Sequence, residues 1–333
     1  MQKPIKDEIW IFVDNRPGNY SQAIGLANEI GFESRIINIE YSIFSHLPNF
    51  ILGDSFCGIN LATKKKLQSF NYFPKLIISA GRRAAPVALH IKKQSLNLTK
   101  IVQIMNPDFA FDDFDFVILP LHDNLRGEHK NVIRTLGALT KTNEKSIAAE
   151  CEKFSSWFRD YQKTKIALLI GGDSKHGKFS KESVVKLIKQ SCKIAKNMNA
   201  KLLILNSRRT SNEATNAIKS TLEGDFKFFN WKEIVDGENP YLAIVGFSDF
   251  FIVSGDSVAM ISEVCATGKP VYIFDEEKIS ATKHKKFHQE LIKQNYAKRI
   301  DKNTHLLEKF SSKKLQETKR VALIVQNALK NKI

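Results

Sequence analysis

Residues 250–274 read FFIVSGDSVAMISEVCATGKPVYIF, and this stretch decides the fold. A short apolar run at 250–253 is followed by the turn residues Ser254, Gly255, Asp256 and Ser257, then a segment of helical spacing at 258–267 and a second apolar run at 271–274. That order of strand, turn, helix and strand is a βαβ unit, whose two strands run parallel. Gly255 permits close backbone approach, Asp256 or Ser257 suits the helix N-cap, and the unpaired N–H groups at a helix start attract an anion.

The same alternation extends in both directions. Strands are expected at 166–170, 202–205 and 226–229, with long helices at 181–197 and 212–222. Towards the N-terminus, strands are expected at 9–14, 34–39, 76–79, 101–105, 116–120 and 132–135, and helices at 20–30 and 84–93. Two such runs in a chain of 333 residues, more than one core usually serves, predict an α/β protein of two doubly wound, Rossmann-like domains facing each other across a cleft. The first is expected over 1–150 and the second over 163–312, with the join near 141–165. Residues 143–162 place Ile147, Ala148, Cys151, Phe154, Phe158 and Tyr161 at helical spacing, as one amphipathic helix closing the first domain. The Lys-rich stretch 304–332 reads as helical too, and 313–333 is expected to cross back and brace the first domain.

Hydrophobic residues at 43% and charged residues at 26% are globular values that exclude a disordered or fibrous chain. Lys and Arg outnumber Asp and Glu by 51 to 35, for a net charge of +16, which favours anionic partners such as sugar nucleotides, nucleic acid or an acidic membrane surface without choosing among them. Much of that excess is Lys at helical spacing, which also fits solvated helix faces. No nucleic-acid partner is expected. Cys57, Cys151, Cys192 and Cys265 fall in no metal-type pairing and read as thiols of a reducing compartment. The apolar run at 9–13 is too short for a signal peptide, and no stretch approaches the roughly 20 apolar residues of a membrane span. A cytoplasmic protein is therefore expected, with contact at the inner face of the membrane compatible with its charge.

In doubly wound sheets, ligands bind beyond the carboxyl ends of the strands, so the loops there are the candidates for chemistry. Gly171 and Gly172 would let backbone N–H groups approach a diphosphate, with Ser174 adding a donor and Lys175 a charge; a plain turn between strand and helix is the alternative. Ser207, Arg208 and Arg209 follow the next strand and suit phosphate oxygens, or else an ion-pair cluster. Ser254, Gly255, Asp256 and Ser257 complete the set. Glu263 would accept hydrogen bonds from ribose hydroxyls or be a solvated helix carboxylate. Because these cations and a helix N-terminus can neutralise phosphate, no metal and no cofactor beyond the sugar nucleotide itself is expected.

In the first half, Asn15, Arg16, Gly18 and Gln22, together with Gly81, Arg82 and Arg83, would serve the acceptor substrate. Asp14, His122 and Asp123 are the candidates for the base that deprotonates an acceptor hydroxyl, although solvated loop side chains read the same way. Residues 112–115 (DDFD) precede a strand and read as a turn rather than a metal site. No Walker lysine loop and no GxGxxG after the first strand are present, against kinase and NAD-dehydrogenase readings.

On these residues the chain resembles the elongated-mitochondria fission-factor family, known from plants and with many bacterial relatives. The resemblance spans nearly the whole length, through DNRPGNYSQAIG at 14–25, GRRAAPVAL at 81–89, QIMNP at 103–107, GGDSK at 171–175, SRRT at 207–210 and, most specifically, residues 254–274. It implies a glycosyltransferase of GT-B architecture acting in surface polysaccharide synthesis on an acceptor saccharide or lipid-linked saccharide. The second half is also similar to the glycosyltransferase that completes the lipid-linked peptidoglycan precursor. That likeness implies a donor site lined by Gly171, Gly172, Ser174, Gly255, Ser257 and Glu263. Plant members of the family recruit a dynamin-like protein in organelle division, which implies an adaptor as the competing function. Sugar-nucleotide epimerases share the two-lobed fold and give a third reading.

Overall fold

The computed structural model describes residues 3–158, 163–173, 177, 179–235, 238–276 and 282–330. In chain order the first elements are β1 (Ile5–Val13), α1 (Pro17–Ile30), β2 (Ser34–Asn38), α2 (Asn49–Leu52), α3 (Leu61–Ser69), β3 (Phe73–Ala80), α4 (Ala85–Gln94), β4 (Lys100–Ile104), β5 (Phe116–Pro120) and β6 (Val132–Thr135). Then follow α5 (Glu144–Lys153), α6 (Ser155–Phe158), β7 (Lys165–Ile170), α7 (Lys181–Asn197), β8 (Lys201–Asn206), α8 (Asn212–Thr221), β9 (Phe226–Phe229) and α9 (Tyr241–Phe247). The chain continues through β10 (Phe250–Ser254), α10 (Val258–Cys265), β11 (Val271–Phe274), α11 (Thr282–Lys293), β12 (Lys298–Ile300) and α12 (Glu317–Lys330).

These elements form two units, Met1–Lys141 with Gln316–Ile333, and Thr142–Leu315. The first holds a six-stranded parallel sheet in the order β2-β1-β3-β4-β5-β6. Alternation along β1 feeds two cores, because successive side chains of a strand point to opposite faces. Ile9, Ile11 and Val13 meet Ala23 and Leu26 of α1 and Val321 and Val325 of α12, while Trp10 and Phe12 pack with Val87 and Ile91 of α4.

The second unit holds a separate six-stranded parallel sheet in the order β12-β11-β10-β7-β8-β9. Counted within the unit, that is the Rossmann order, in which the chain reverses direction between its first strand, β7, and its fourth, β10. Leu187 and Ile188 of α7 and Ala214 and Ile218 of α8 cover one face, over Ile166, Leu168, Leu202 and Ile204. Each fully buried Leu or Ile among these contributes about 1.5–3 kcal/mol relative to exposure.

Several expectations need correcting. The division falls at Lys141 and returns at Gln316, so residues 142–150, placed above with the first domain, belong to the second. The reason is α5, which packs against α9 of that unit. Among the described residues of 143–162, the chain is not one helix: α5 ends at Lys153, and the φ of −100° and ψ of 13° at its C-cap, Phe154, break the run before the short α6. Tyr161 lies outside the described residues. The helix expected over 304–332 begins only at Glu317, as α12. The sequence also hides α3, α11 and β12, which are rich in Lys or Arg. Among the described residues, no helix is long and apolar enough to cross a membrane.

Candidate functional site

The reversal between β7 and β10 puts the loops of three adjacent strands together. Gly171 and Gly172 follow β7, Ser207 to Thr210 follow β8, and Gly255 to Ser257 follow β10. Their packing is close enough to exclude a β-carbon. A Cβ on Gly171 would lie 2.0 Å from the Asp256 carboxylate, and one on Gly172 would lie 2.2 Å from the Arg209 carbonyl.

Asp256, with its side chain 1% exposed, is the hub. Its Oδ2 accepts the Gly172 N–H at 3.0 Å and Arg209 Nη2 at 2.7 Å, and its Oδ1 accepts the Ser254 hydroxyl at 2.6 Å. Ser254 Oγ in turn accepts the Gly171 N–H at 2.8 Å. Thr210 donates its hydroxyl to the Gly171 carbonyl, and Arg209 Nη1 donates to the Gly172 and Asp173 carbonyls at 3.3 and 3.1 Å. A buried carboxylate is tolerated only with such partners.

The expected phosphate donors are therefore brought together, but several are already engaged. The N–H groups of Gly171 and Gly172 are held by Ser254 and Asp256, and that of Gly255 donates to the Phe274 carbonyl at 2.9 Å. Ser207 Oγ accepts the Arg209 N–H at 3.2 Å. Arg208 is exposed and has no ion-pair or hydrogen-bond partner among the described residues. Ser257, not Asp256, caps α10, accepting the Met260 N–H at 3.4 Å. Glu263 accepts the Tyr241 hydroxyl at 2.5 Å, and burial followed by the Glu263 charge pushes the Tyr241 pKa well up. Ser174 and Lys175 lie outside the described residues.

In the first unit the strand order reverses between β1 and β3, and a second cluster lies there. Asp14 Oδ2 pairs with Arg83 at 3.5 Å and Arg16 at 3.8 Å, and its Oδ1 accepts from the Asn19 amide at 3.2 Å. Arg83 also lies 4.1 Å from the ring centre of Tyr41, whose pKa burial and then the Asp14 charge push up. Gly81 has a φ of +86° and would meet the Asn19 amide with any Cβ. Arg82 turns away from this cluster: it donates to the Leu47 carbonyl at 2.8 Å, the Ser45 carbonyl at 3.1 Å and Asn49 Oδ1 at 3.0 Å. Asn15 and Arg16 are exposed, Gly18 has open space around it, and the buried Gln22 donates to the Gly18 carbonyl at 3.2 Å.

His122 and Asp123 follow β5, three strand positions from β1, which at strand spacing is roughly 14 Å. His122 is buried, and Arg134 fixes its turn through the carbonyls of Pro120, Leu121 and Asp123 at 2.8–2.9 Å. The structure thus does not place His122 and Asp123 beside Asp14. Of the 112–115 carboxylates, Asp115 pairs with Lys92 and Lys100, and Asp112 with His129. Among the described residues, no group of three or more His, Cys, Asp or Glu is placed to hold a metal ion.

Residues 17–329 match the family described as mitochondrial fission ELM1. The chain belongs to the mitochondrial fission ELM1 family. The uncharacterized protein RP120 of Rickettsia prowazekii (strain Madrid E) is 31% identical over 97% of this chain and 98% of its own length. The mitochondrial fission protein ELM1 of Arabidopsis thaliana is 25% identical over 60% of this chain and 51% of its own. Among solved structures, the UDP-GlcNAc 2-epimerase of Neisseria meningitidis, bound to UDP-GlcNAc, has a TM-score of 0.57 at 12% identity, covering 97% of this chain and 100% of the other. The spinosyn forosaminyltransferase SpnP has a TM-score of 0.52 at 9% identity, covering 98% and 95%. Such identities speak for the fold alone. The chain has two Rossmann-like domains, the fold of GT-B glycosyltransferases and of that epimerase.

Sequence reasoning passed over Thr210, Tyr241 and Asn19, and of the two caps it offered, Asp256 and Ser257, the second is the one used. Thr210 stands in the quoted SRRT motif, which was its only signal. Tyr241 and Asn19 act across 22 and 61 residues of chain, on Glu263 and the Ala80 carbonyl, and nothing local announces either.

Proposed function

We propose that the chain is a glycosyltransferase that binds a nucleoside-diphosphate sugar on its 142–315 unit. The observation that carries this reading is the convergence of Gly172, Arg208, Arg209 and the Ser257-capped start of α10 at the carboxyl ends of β10, β7 and β8. A diphosphate needs positive charge and aimed donors, and a helix start beside two arginines supplies both without a divalent metal. The ligand would take over from Asp256 part of what Arg209 and Gly172 now donate. When the bond from the anomeric carbon to the diphosphate oxygen breaks, the electron pair leaves on that oxygen, where these donors stabilise it. The acceptor oxygen forms the new bond, and its proton passes to a general base. Asp14 lies about 14 Å across the sheet from His122 and Asp123, so one acceptor hydroxyl meets only one of the two places.

Calorimetry with UDP and other nucleoside diphosphates, with and without Mg²⁺, tests the donor site. Binding without metal is expected. Arg208→Ala should weaken it about ten- to hundredfold at unchanged melting temperature, as loss of a charged hydrogen bond does. Arg82→Ala should instead lower the melting temperature and leave affinity alone. If no nucleoside diphosphate or sugar conjugate binds, the reading fails. An adaptor function of the kind the family name suggests would then stand, with Asp256 as scaffold; the carboxylate already seated among the donors favours that second reading. Conversion of UDP-GlcNAc without any acceptor would point to an epimerase.

A further inference from the structure

The segment between β2 and α3, which includes α2, is a long loop with its ends tied together. The Asn60 N–H donates to the Glu40 carbonyl at 2.9 Å, the Ser42 N–H donates to the Gly58 carbonyl at 3.0 Å, and Tyr41 bridges Ile59. Its inner side is fixed to the domain. Leu52, Phe56 and Ile59 are buried, and the fully buried Asn49 donates to the carbonyls of Arg82 and Pro107 at 2.7 Å each. Its outer side is apolar: Ile43 is 80% exposed, Phe50 73% and Leu61, just past the neck, 75%, with Phe44, Leu47 and Ile51 exposed beside them in sequence. Scattered exposed apolar residues are ordinary, but a firmly supported loop presenting five large ones, with Leu61 of α3 as a sixth, is the mark of an interaction surface.

We propose that this loop docks the protein onto an anionic lipid bilayer, its apolar side chains entering the boundary between headgroups and acyl chains. The charge beside it fits that occupant. Lys64 and Lys65 lie three and four residues after Leu61, hence on the same face of α3, opposite the buried Thr63 and Leu67. Both lysines are exposed and, among the described residues, have no carboxylate partner. Lysines flanking an apolar patch meet lipid phosphates, and the net charge of +16 adds to the attraction. The loop backbone is also fit for a medium poor in water. The N–H groups of Ser45, Leu47, Ile51, Leu52 and Gly53 are bonded within the loop, and Arg82 satisfies the carbonyls of Ser45 and Leu47. A carboxylate-rich protein partner would match the lysines but not the six apolar side chains.

Flotation of the full chain with vesicles of phosphatidylcholine, with and without phosphatidylglycerol, tests the proposal independently of any nucleotide binding. The wild type should float with phosphatidylglycerol vesicles, less so at high salt, and inorganic phosphate should not release it. The combined variant Phe44→Ser, Phe50→Ser, Ile51→Ser should partition roughly tenfold or more weakly. Lys64→Gln and Lys65→Gln should each weaken binding about fivefold and flatten its salt dependence. These side chains are exposed, so melting temperatures should not move. As a second readout, an environment-sensitive fluorophore on the exposed Cys57 should report a less polar setting on the same vesicles. Absence of flotation by the wild type, or equal flotation by the apolar variant, overturns the proposal. Self-association or capture of a protein that depends on Phe50, without flotation, overturns it in favour of that partner.

Discussion

Arg209 Nη2 lies 2.7 Å from Asp256 Oδ2, and the same oxygen accepts the Gly172 N–H. An internal carboxylate thus occupies two groups that an anionic ligand would use. Removing it should leave the Gly172 N–H and the Ser254 hydroxyl without their acceptor, and Arg209 with the Gly172 and Asp173 carbonyls alone, at a cost of about 1–3 kcal/mol. Asp256→Ala is therefore expected to melt well below the wild type, and added formate or acetate should restore part of the loss by filling the vacated anion position. Thermal unfolding with and without formate checks this. An equal response of the two proteins would mean that no anion seat exists there.

Two glycines should behave oppositely. Gly172→Ala forces a methyl group against the backbone of Arg209, at 2.2 Å from its carbonyl carbon and oxygen, which cannot yield without moving the β8 loop. A loss of about 1–3 kcal/mol, as for overpacking elsewhere, is expected in urea unfolding, together with loss of nucleotide affinity. Gly18→Ala meets open space in the first turn of α1 and should be neutral or stabilise by about 0.4–1 kcal/mol. Equal stability of the two variants would contradict the close packing of the β7 and β8 loops.

Asp115 gives the first unit a defined response to acid. Its carboxylate lies 2.8 Å from Lys92 and 3.0 Å from Lys100, and accepts the Ile101 N–H at 2.9 Å. Burial works to raise its pKa, but Lys92, the Ile101 amide and Lys100 outweigh it and hold the group below its ordinary value. The unfolded chain binds this proton at pH of about 3.9. The stabilisation is therefore present above that pH and is lost as pH falls through the lower folded value. Asp115→Asn should cost about 1–3 kcal/mol at neutral pH, and the gap to wild type should narrow below pH 4. Melting temperatures measured across pH decide it, and a constant gap would rule out the linkage.

How much of this was legible depended on the range of the interactions. Runs such as Leu202–Leu205 and Val271–Phe274 announce buried parallel strands by composition alone. By contrast, β12 is only Lys298–Ile300, an edge strand with two charged residues, and pairs with β11 on one side. Its existence depends on a neighbour, not on its own sequence. The helix at 143–153 was visible, but an amphipathic face does not say which domain it will cover. At the candidate site, Gly and Arg stand at the carboxyl ends of β7 and β8, the side of the sheet on which this fold binds ligands in general. Their engagement with Asp256 spans 84 residues for Gly172 and 47 for Arg209, beyond anything spacing conveys.

The return of α12 to α1 makes the 142–315 unit an insertion within the first. During synthesis, Ile9, Ile11 and Val13 leave the ribosome before the 142–315 unit, yet their cover of Val321, Ala322 and Val325 leaves after it. The first unit's sheet must therefore wait, with one apolar face partly bare, while a whole second domain emerges. Any chaperone that attends the nascent chain has its natural target on that face, and release from it would coincide with the arrival of α12.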